Sequence, residues 1–496
     1  MNTNIKLLIS IAITLSVVFL GYLANNNWQI VPGVFITYGG ISYKEYPNDD
    51  TAKAAMQYST YCAGCHGQQM ATYVNHTWKI GKTKSAIFKA IKYGYPNDGM
   101  PGFEPTFSDR EIHDLSSYLL TGINIAQTQP LKTKTPQSGL FATQLLTIKT
   151  DTITSDIKMP WCIAFLPGGE LLVTDRDGKL YKVKKGNPLQ EISGVPKVVA
   201  KGQGGLFDVL PHPDFKNNHQ LYLSYSKPES AGSNKSTTAI MLATLNGNML
   251  QNQQDIFVAK PYSTTHHHYG GKMVFGKDGC LYFSVGERGN EKENPQNIGN
   301  DLGKIHRIKA DGTIPSDNPF VGISNAKSSI YCYGNRNPQG LALNPHTGAI
   351  WENEHGPMGG DEINIIEKGK NYGWPVITYG VNYNGTPITD KTDMPGMEQP
   401  IHFWVPSIAT SGLAFVDGTN YKGWEGDVLS GSLKFNWVSR CHTEGDVILT
   451  EESMLAGIGR LRDIRTSPDG YIYVAVENPG YVFKLLPVAN KIDINK

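Results

Sequence analysis

Apolar and polar positions along this chain fall into three textures. From Leu7 to about Ala24 nearly every residue is apolar, after a single cation at Lys6. A run of that length is near what spans a bilayer. A cation followed by an apolar core also has the form of an export signal. No good small-x-small cleavage site follows, because a cut after Ala24 would put Tyr22 in the third position before it. Residues 1–24 are therefore expected to be a signal peptide or a membrane anchor. The second texture has helical spacing. In "TKSAIFKAIKYG", residues 83–94, the apolar side chains share one face until Gly94. "SDREIHDLSSYLLTG", residues 108–122, opens with a capping box, Ser108 and Glu111, and is expected to stop at Gly122.

The third texture begins near residue 141 and runs to about residue 490. One phrase recurs in it: an apolar residue, a turn with Pro, Asp or Gly, then alternating apolar residues. It reads "FLPGGELLVTDR", "HPDFKNNHQLYLSYS", "FGKDGCLYFSVGER", "NPHTGAIWENEHG", "YKGWEGDVLSGSLK" and "SPDGYIYVAVENPG". A single strand pair cannot bury its own apolar face, so repeated sheets must stack on one another around an axis. The fold expected for 141–490 is an all-β six-bladed β-propeller. Between the two textures, residues 125–140, "IAQTQPLKTKTPQSGL", are rich in Thr, Gln, Pro and Lys and read as a linker.

Composition narrows the function classes. The chain has 496 residues, too many for one core, so two domains are expected. Its formal net charge is only +1 and no Lys/Arg block occurs, which leaves no electrostatic case for nucleic acid. Six cysteines are present; Cys162, Cys280, Cys332 and Cys441 are widely spaced and leave both disulfides and buried thiols open.

Cys62 and Cys65 differ from these. "YCAGCHG" is a C-x-x-C-H signature, in which two thiols one helical turn apart bond the haem vinyl groups and His66 follows as an iron ligand. "NDGMPGF" offers Met100 on a Gly/Pro loop as the second axial ligand, with Met70 as a rival close to the attachment helix. Residues 47–124 resemble a small, all-α class I cytochrome c domain carrying haem c.

In the propeller, the chemistry lies in loop stretches. "GQGGLFDVLPHPDF" offers Gln203, "THHHYGGK" offers His268, and "YGNRNPQGLALNP" offers Arg336 and Asn337. "NEHGPMGGDEIN" offers backbone carbonyls at Gly356 and Pro357, together with Glu362. Lys434, Arg460 and Arg462 follow in "GSLKFNW" and "GRLRDIRTSPDG". Pooled at one mouth, these cations suit a polyanionic small ligand, and the oxygen donors suit calcium.

From about Met159 to Leu486 these stretches, in this order, resemble the soluble PQQ-dependent aldose sugar dehydrogenases of the glucose dehydrogenase type. The resemblance implies that His268 is the general base. It places Gln203, Arg336, Asn337, Ser407, Lys434, Arg460 and Arg462 in the PQQ and substrate pocket. It makes Gly356 and Pro357 carbonyl ligands of a Ca²⁺, with Glu362 and Tyr372 as further calcium ligands. It also implies the reaction. His268 takes the C1 hydroxyl proton of an aldose, hydride passes to PQQ, Arg336 steadies the charge growing on the quinone oxygen, and a lactone leaves. The attached haem then receives the electrons singly, and a downstream cytochrome or respiratory chain receives them from it. His266 and His267 take no role, since neighbouring side chains on extended backbone alternate faces and cannot all meet one metal. An exported bacterial, periplasmic protein is expected, with anchoring through the N-terminus left open. Two rival readings of the propeller remain at this point: a calcium-dependent hydrolase such as a lactonase, and a non-catalytic module that binds glycan or protein.

Overall fold

The computed structural model describes residues 36–38, 41–43, 50–62, 66, 83–96, 100–128, 139–289, 293–383, 385–477 and 479–488. Residues 1–24, Cys65, Met70 and residues 129–138 of the expected linker lie outside that set. Among the described residues, no helix is long and apolar enough to cross a membrane.

The first module is helical. Helix Thr51–Gln57 is capped by Asp50, whose carboxylate accepts the Lys53 N–H at 3.0 Å. It runs on into a π-helical turn, Tyr58–Cys62. Helix Lys84–Tyr93 is capped by Thr83. Helix Asp109–Thr128 opens on the closed capping box, with Ser108 N–H donating to Glu111 Oε2 at 2.9 Å and Glu111 N–H returning to Ser108 Oγ at 3.3 Å. This helix does not stop at Gly122 as its sequence suggests. A glycine costs a helix interior only about 1 kcal/mol, and no proline follows before Pro130, so the helix takes up the first residues of the expected linker. Tyr58, Ile87, Phe88, Ile91, Phe103, Phe107, Ile112, Leu115 and Leu119 form the core of the module. The Met100 loop folds back on Tyr95 through paired backbone hydrogen bonds of 2.7 and 3.1 Å. Gly94 makes that fold possible: its φ is +66°, and a Cβ there would lie 2.4 Å from Gly102 N.

The second module is a six-bladed β-propeller. Its six sheets are antiparallel, five with four strands and one with five. Each recurring phrase is the first hairpin of one blade. The first strands are Pro160–Phe165, Leu206–Pro211, Gly270–Phe275, Pro338–Leu343, Thr410–Phe415 and Arg460–Thr466, and they touch one another round a closed ring. The last blade closes that ring: strand Thr147–Thr154, from the start of the module, pairs with Tyr481–Val488 from its end. Apolar cores lie between successive blades, for example Leu172, Leu206, Leu223 and Ala239 between the first two. Cys162, Cys280, Cys332 and Cys441 are buried thiols without disulfides.

Charge fills the centre of the ring. Asp463 accepts from Lys272 Nζ at 2.8 Å, from Arg465 Nε at 3.0 Å and from the Ile163 N–H at 2.9 Å. Arg465 continues to Asp208 at 2.9 Å, and Asp208 accepts the Met273 N–H. First strands of four blades are tied in this way. Asn353 bonds to Ser411 O and Ser411 Oγ bonds to Leu461 O, which links the remaining blades to the same ring.

A buried charge that loses its partner is strongly destabilising. Asp463→Ala should therefore cost about 3–5 kcal/mol, because Lys272 is left buried without its acid. Urea unfolding checks this. Removing the exposed partner Glu191 from Lys179 should leave the midpoint nearly unmoved.

Candidate active site

Antiparallel hairpins bring the start of each first strand and the end of each second strand to the same end of the ring. The chemically active residues collect there. Trp161, Gln203, His268, Ser407, Arg460 and Arg462 lie at or just before first strands, and Arg176, Glu287, His355, Lys434 and Glu477 lie at or just after the ends of second strands. Pairing is irregular near the start of every first strand, as at Pro160/Cys162, Gly270/Met273, Thr410/Leu413 and Leu461/Asp463. Such bulges re-aim side chains. In the last blade the irregularity separates Arg460 and Arg462, at the mouth, from Asp463 and Arg465, in the ring centre.

The mouth opens on a cavity of about 470 Å³. Of the residues expected from the sequence, Gln203, His268, Gly356, Pro357, Ser407, Lys434, Arg460 and Arg462 line it. Cys62, His66 and Met100 of the helical module line the same cavity. Arg336, Asn337, Glu362 and Tyr372 do not. Arg336, Glu362 and Tyr372 instead line a smaller adjoining hollow that shares Gly356 with the first.

His268 is held from three sides. Its backbone, at φ +53°, donates N–H to Gln203 Oε1 at 2.7 Å. Its Nδ1 lies 2.8 Å from Glu287 Oε1. Gly286 must be glycine to pass its carbonyl, since a Cβ would lie 2.3 Å from His268 O. Burial, helped by the positive charge of Arg336 and Arg288, holds the His268 pKa well below its usual 6.5. The ring is therefore neutral. Glu287 Oε2 accepts the Gly289 N–H; burial raises its carboxyl, opposed by Arg336, that N–H and Arg288, and with Glu287 ionised the Nδ1–H would point to it and Nε2 would be the nitrogen free to accept a proton. Glu287 was missed in the sequence, although it is the second-last residue of the phrase "FGKDGCLYFSVGER". Arg176 and Glu477 likewise lie within two residues of the end of a second strand, so the ends of the recurring hairpins were the signal that would have drawn attention to all three.

Asn337 acts from behind the cavity wall. Its side-chain oxygen accepts the Gly270 N–H at 3.1 Å and so fixes the backbone beside His268. Arg336 Nη1 donates to the carbonyls of His355 and Gly356 at 2.9 and 3.0 Å, under Trp374. His267 is buried, which lowers its pKa to about 3, and packs edge-on to His268. Among the described residues no set of three or more His, Cys, Asp or Glu side chains converges on a metal position.

Four cations line the main cavity: Arg176, Lys434, Arg460 and Arg462. Arg460 and Arg462 share Glu477 at 2.6 and 2.7 Å. Burial would raise that carboxyl, but the two guanidinium groups outweigh it and hold the pKa at about 2. The Arg462 guanidinium stacks 3.6 Å over Trp161. Positive charge thus exceeds negative charge in the wall, which suits a ligand with several carboxylates.

The oxygen donors also suit a hard cation. Gly356 O accepts from Arg336 and Pro357 O accepts from Ser407 Oγ at 3.1 Å, and each carbonyl keeps a second lone pair. The Tyr372 hydroxyl is committed, donating to Ile365 O and accepting the Glu367 N–H, so only its backbone carbonyl could ligate. Glu354 and Glu362 line the smaller hollow, and Asn364 bridges Glu362 to Glu352. Burial and mutual repulsion raise all three carboxyls, Glu354 to about 7. Such a set is stabilised by a nearby cation.

A six-bladed propeller with a neutral histidine facing a cation-lined cavity, joined to a helical module bearing C-x-x-C-H, defines a class. A profile of the Glucose / Sorbosone dehydrogenase family matches residues 157–484, and one of Cytochrome C oxidase, cbb3-type, subunit III, matches residues 49–119. The chain belongs to the glucose/sorbosone dehydrogenase family and carries an N-terminal cytochrome c domain. It is 40% identical over 349 residues to the Aldose sugar dehydrogenase YliI of Escherichia coli, covering 69% of this chain and 93% of that protein. The crystal structure of the soluble aldose sugar dehydrogenase from E. coli in its apo-form superposes with a TM-score of 0.66 at 39% identity, covering 69% of this chain and all of that one. The PQQ-bound aldose sugar dehydrogenase from Streptomyces coelicolor gives 0.58 at 27% identity, over 69% and 98%.

Glu287→Gln should lower kcat by about 10²–10⁴-fold, since a wrong tautomer disables a base as surely as its loss. The native enzyme should keep full kcat/KM down to a pH below 6.5 and lose it only as His268 protonates, which a dye-linked pH profile measures. At the haem, Met100→Ala should leave haem attached through Cys62 and Cys65 but remove the thioether absorption band of the oxidised protein.

Proposed function

We propose that this protein oxidises an aldose at C1 to its lactone, with PQQ as first acceptor and the attached haem c as the next. The observation that supports this best is the neutral His268–Glu287 pair, set in the same cavity wall as Lys434, Arg460, Arg462 and Gln203. PQQ, when bound, supplies a two-electron acceptor, and haem c takes electrons one at a time. The chain's residues do the rest. His268 Nε2 receives the C1 hydroxyl proton, and Glu287 holds Nδ1–H and steadies the imidazolium that forms. Arg176, Lys434, Arg460 and Arg462 would hold the cofactor's carboxylates, and Trp161 would offer it a flat apolar side. The carbonyls of Gly356 and Pro357 would hold Ca²⁺ beside the cofactor, and Arg336, bonded to Gly356 O, sets that turn. Glu362 and the Tyr372 carbonyl would hold a second cation. His66 and Met100 would be the axial ligands of the haem, with Cys62 and Cys65 its covalent anchors.

The same reading assigns residues 1–24 to export or anchoring, 47–124 to the cytochrome, 125–140 to the linker and 141–490 to the dehydrogenase. It places the protein in the bacterial periplasm, where haem c proteins are assembled, with a further electron carrier downstream.

The test is an absorbance spectrum of the purified protein with sugar, before and after addition of PQQ and Ca²⁺. Haem reduction should appear only after the addition, at a rate independent of protein concentration. A haem that stays oxidised while an added dye is reduced would break the relay. Reduction of neither would sink the dehydrogenase reading.

A further inference from the structure

Four blades deliver a side chain to the propeller mouth by the same device. In the first, second, fourth and sixth blades, the pairing of the first strand with the second passes over one residue: Trp161, Phe207, Gln339 and Arg462. Each is the extra residue of a bulge, which turns its side chain out of the regular alternation. All four line the cavity. Trp161 and Phe207 are flat and apolar, and Arg462 is a cation, so these three suit an aromatic polyanion. Gln339 is neither aromatic nor charged.

Its neighbours fix which end of the amide is left for a ligand. The Gly270 N–H donates to Asn337 Oδ1 at 3.1 Å, so that atom is an oxygen. Gln339 Nε2 donates to the same oxygen at 3.2 Å and to the Pro338 carbonyl at 3.3 Å. A flipped amide would set oxygen against two oxygens. Oε1 is therefore the free end, and among the described residues no group donates to it. Gln203 is the reverse case. Its Oε1 accepts the His268 N–H at 2.7 Å, so its free end is the NH₂ group. Two amides in one cavity wall thus present one donor end and one acceptor end. The acceptor end is satisfied only by a donor. A carboxylate, a quinone oxygen or the ring oxygen of a sugar has no hydrogen to give, whereas a hydroxyl has.

Resting on the dehydrogenase reading, we propose that Gln339 is a specificity-determining residue, which accepts a hydrogen bond from a second hydroxyl of the sugar, at a carbon other than C1. Gln339 and the base are tied to one stretch of backbone. Asn337 Oδ1 holds both the Gln339 amide and the N–H of Gly270, two residues after His268. A hydroxyl bound at Oε1 is thereby held in register with the imidazole that takes the C1 hydroxyl proton. Polyhydroxylated substrates gain from this and simple alcohols do not, because an analogue without the hydroxyl leaves the acceptor unpaired.

The test uses the full chain loaded with PQQ and Ca²⁺, the aldohexose it oxidises fastest, and the monodeoxy analogues of that sugar. Dye-linked kcat/KM of the native protein should fall by about 5–100-fold on at least one analogue. Gln339→Met keeps the side-chain length and removes the acceptor. It should lose a similar factor on the parent sugar and nothing further on that analogue, as a double-mutant cycle requires of a direct contact. Gln339→Asn, which withdraws the oxygen by one methylene, should relax the same penalty and serves if the methionine variant does not fold. Titration of tryptophan fluorescence with PQQ should give both variants the native affinity. A merely structural role would lower every sugar alike and leave the deoxy penalty in place, which would overturn the proposal. So would a persisting penalty with weakened PQQ affinity, which would assign Gln339 to the cofactor's ring N–H instead. A native protein that penalises no analogue would overturn it without any variant. Absence of dye reduction with every aldose would sink the dehydrogenase reading itself, which is a separate failure.

Discussion

The structure depends on a single carboxylate shared at the centre of the ring. Asp463 joins Lys272 of the third blade, Arg465 of its own strand and the Ile163 backbone of the first blade. Burying an aspartate there is unfavourable on its own. Two cations outweigh that burial and hold its pKa below the usual carboxylate range. Because Asp463 and Lys272 are buried and Arg465 largely so, none can leave without stranding the others. The first strands are thereby held at fixed spacing round the axis, and everything at their starts inherits that spacing.

The mouth is built on this frame with little slack. Arg460 and Arg462 sit on the same strand as Asp463 and Arg465, divided by an irregularity of pairing. One strand therefore serves two environments: it closes the ring with one pair of charges and presents the other pair to a ligand. His268 depends on its neighbours in the same way. Gln203 from one blade, Glu287 from the next turn and Asn337 from the following blade fix its backbone, its tautomer and the glycine after it. A side chain held by three elements would need no reorganisation on taking a proton.

Electrostatics divides the site into two regions. The main cavity has a surplus of cations, while the adjoining hollow has two carboxyls, Glu354 and Glu362, raised chiefly by burial. Arg336 stands between them, under Trp374 and bonded to Gly356 O. It is better placed to shape the carbonyl turn than to point into the main cavity. The sequence resemblance alone did not separate those two tasks.

What was legible in the sequence was local. Alternation marked six hairpins, a capping box marked the start of Asp109–Thr128, and C-x-x-C-H marked the haem site, because each depends on residues within a few positions of one another. The helix end at Gly122 was misread, since one glycine does not outweigh a continuing helix. His268 was singled out in the sequence by its neighbours "YGGK", and the structure places it in the cavity wall. Its partner Glu287 was not, because the bond spans 19 residues and exists only once two strands lie antiparallel. Arg176 and Glu477 reach the cavity from opposite ends of the propeller sequence for the same reason. The pairing of Asp463 with Lys272 spans 191 residues. The ring's closure by a strand from its own beginning is longer still, and no local pattern encodes it. Residue type and short spacing thus set which groups the chain carries. Which of them meet, and which face one cavity together with the haem module, is decided by a closed ring that brings distant strand ends to one mouth.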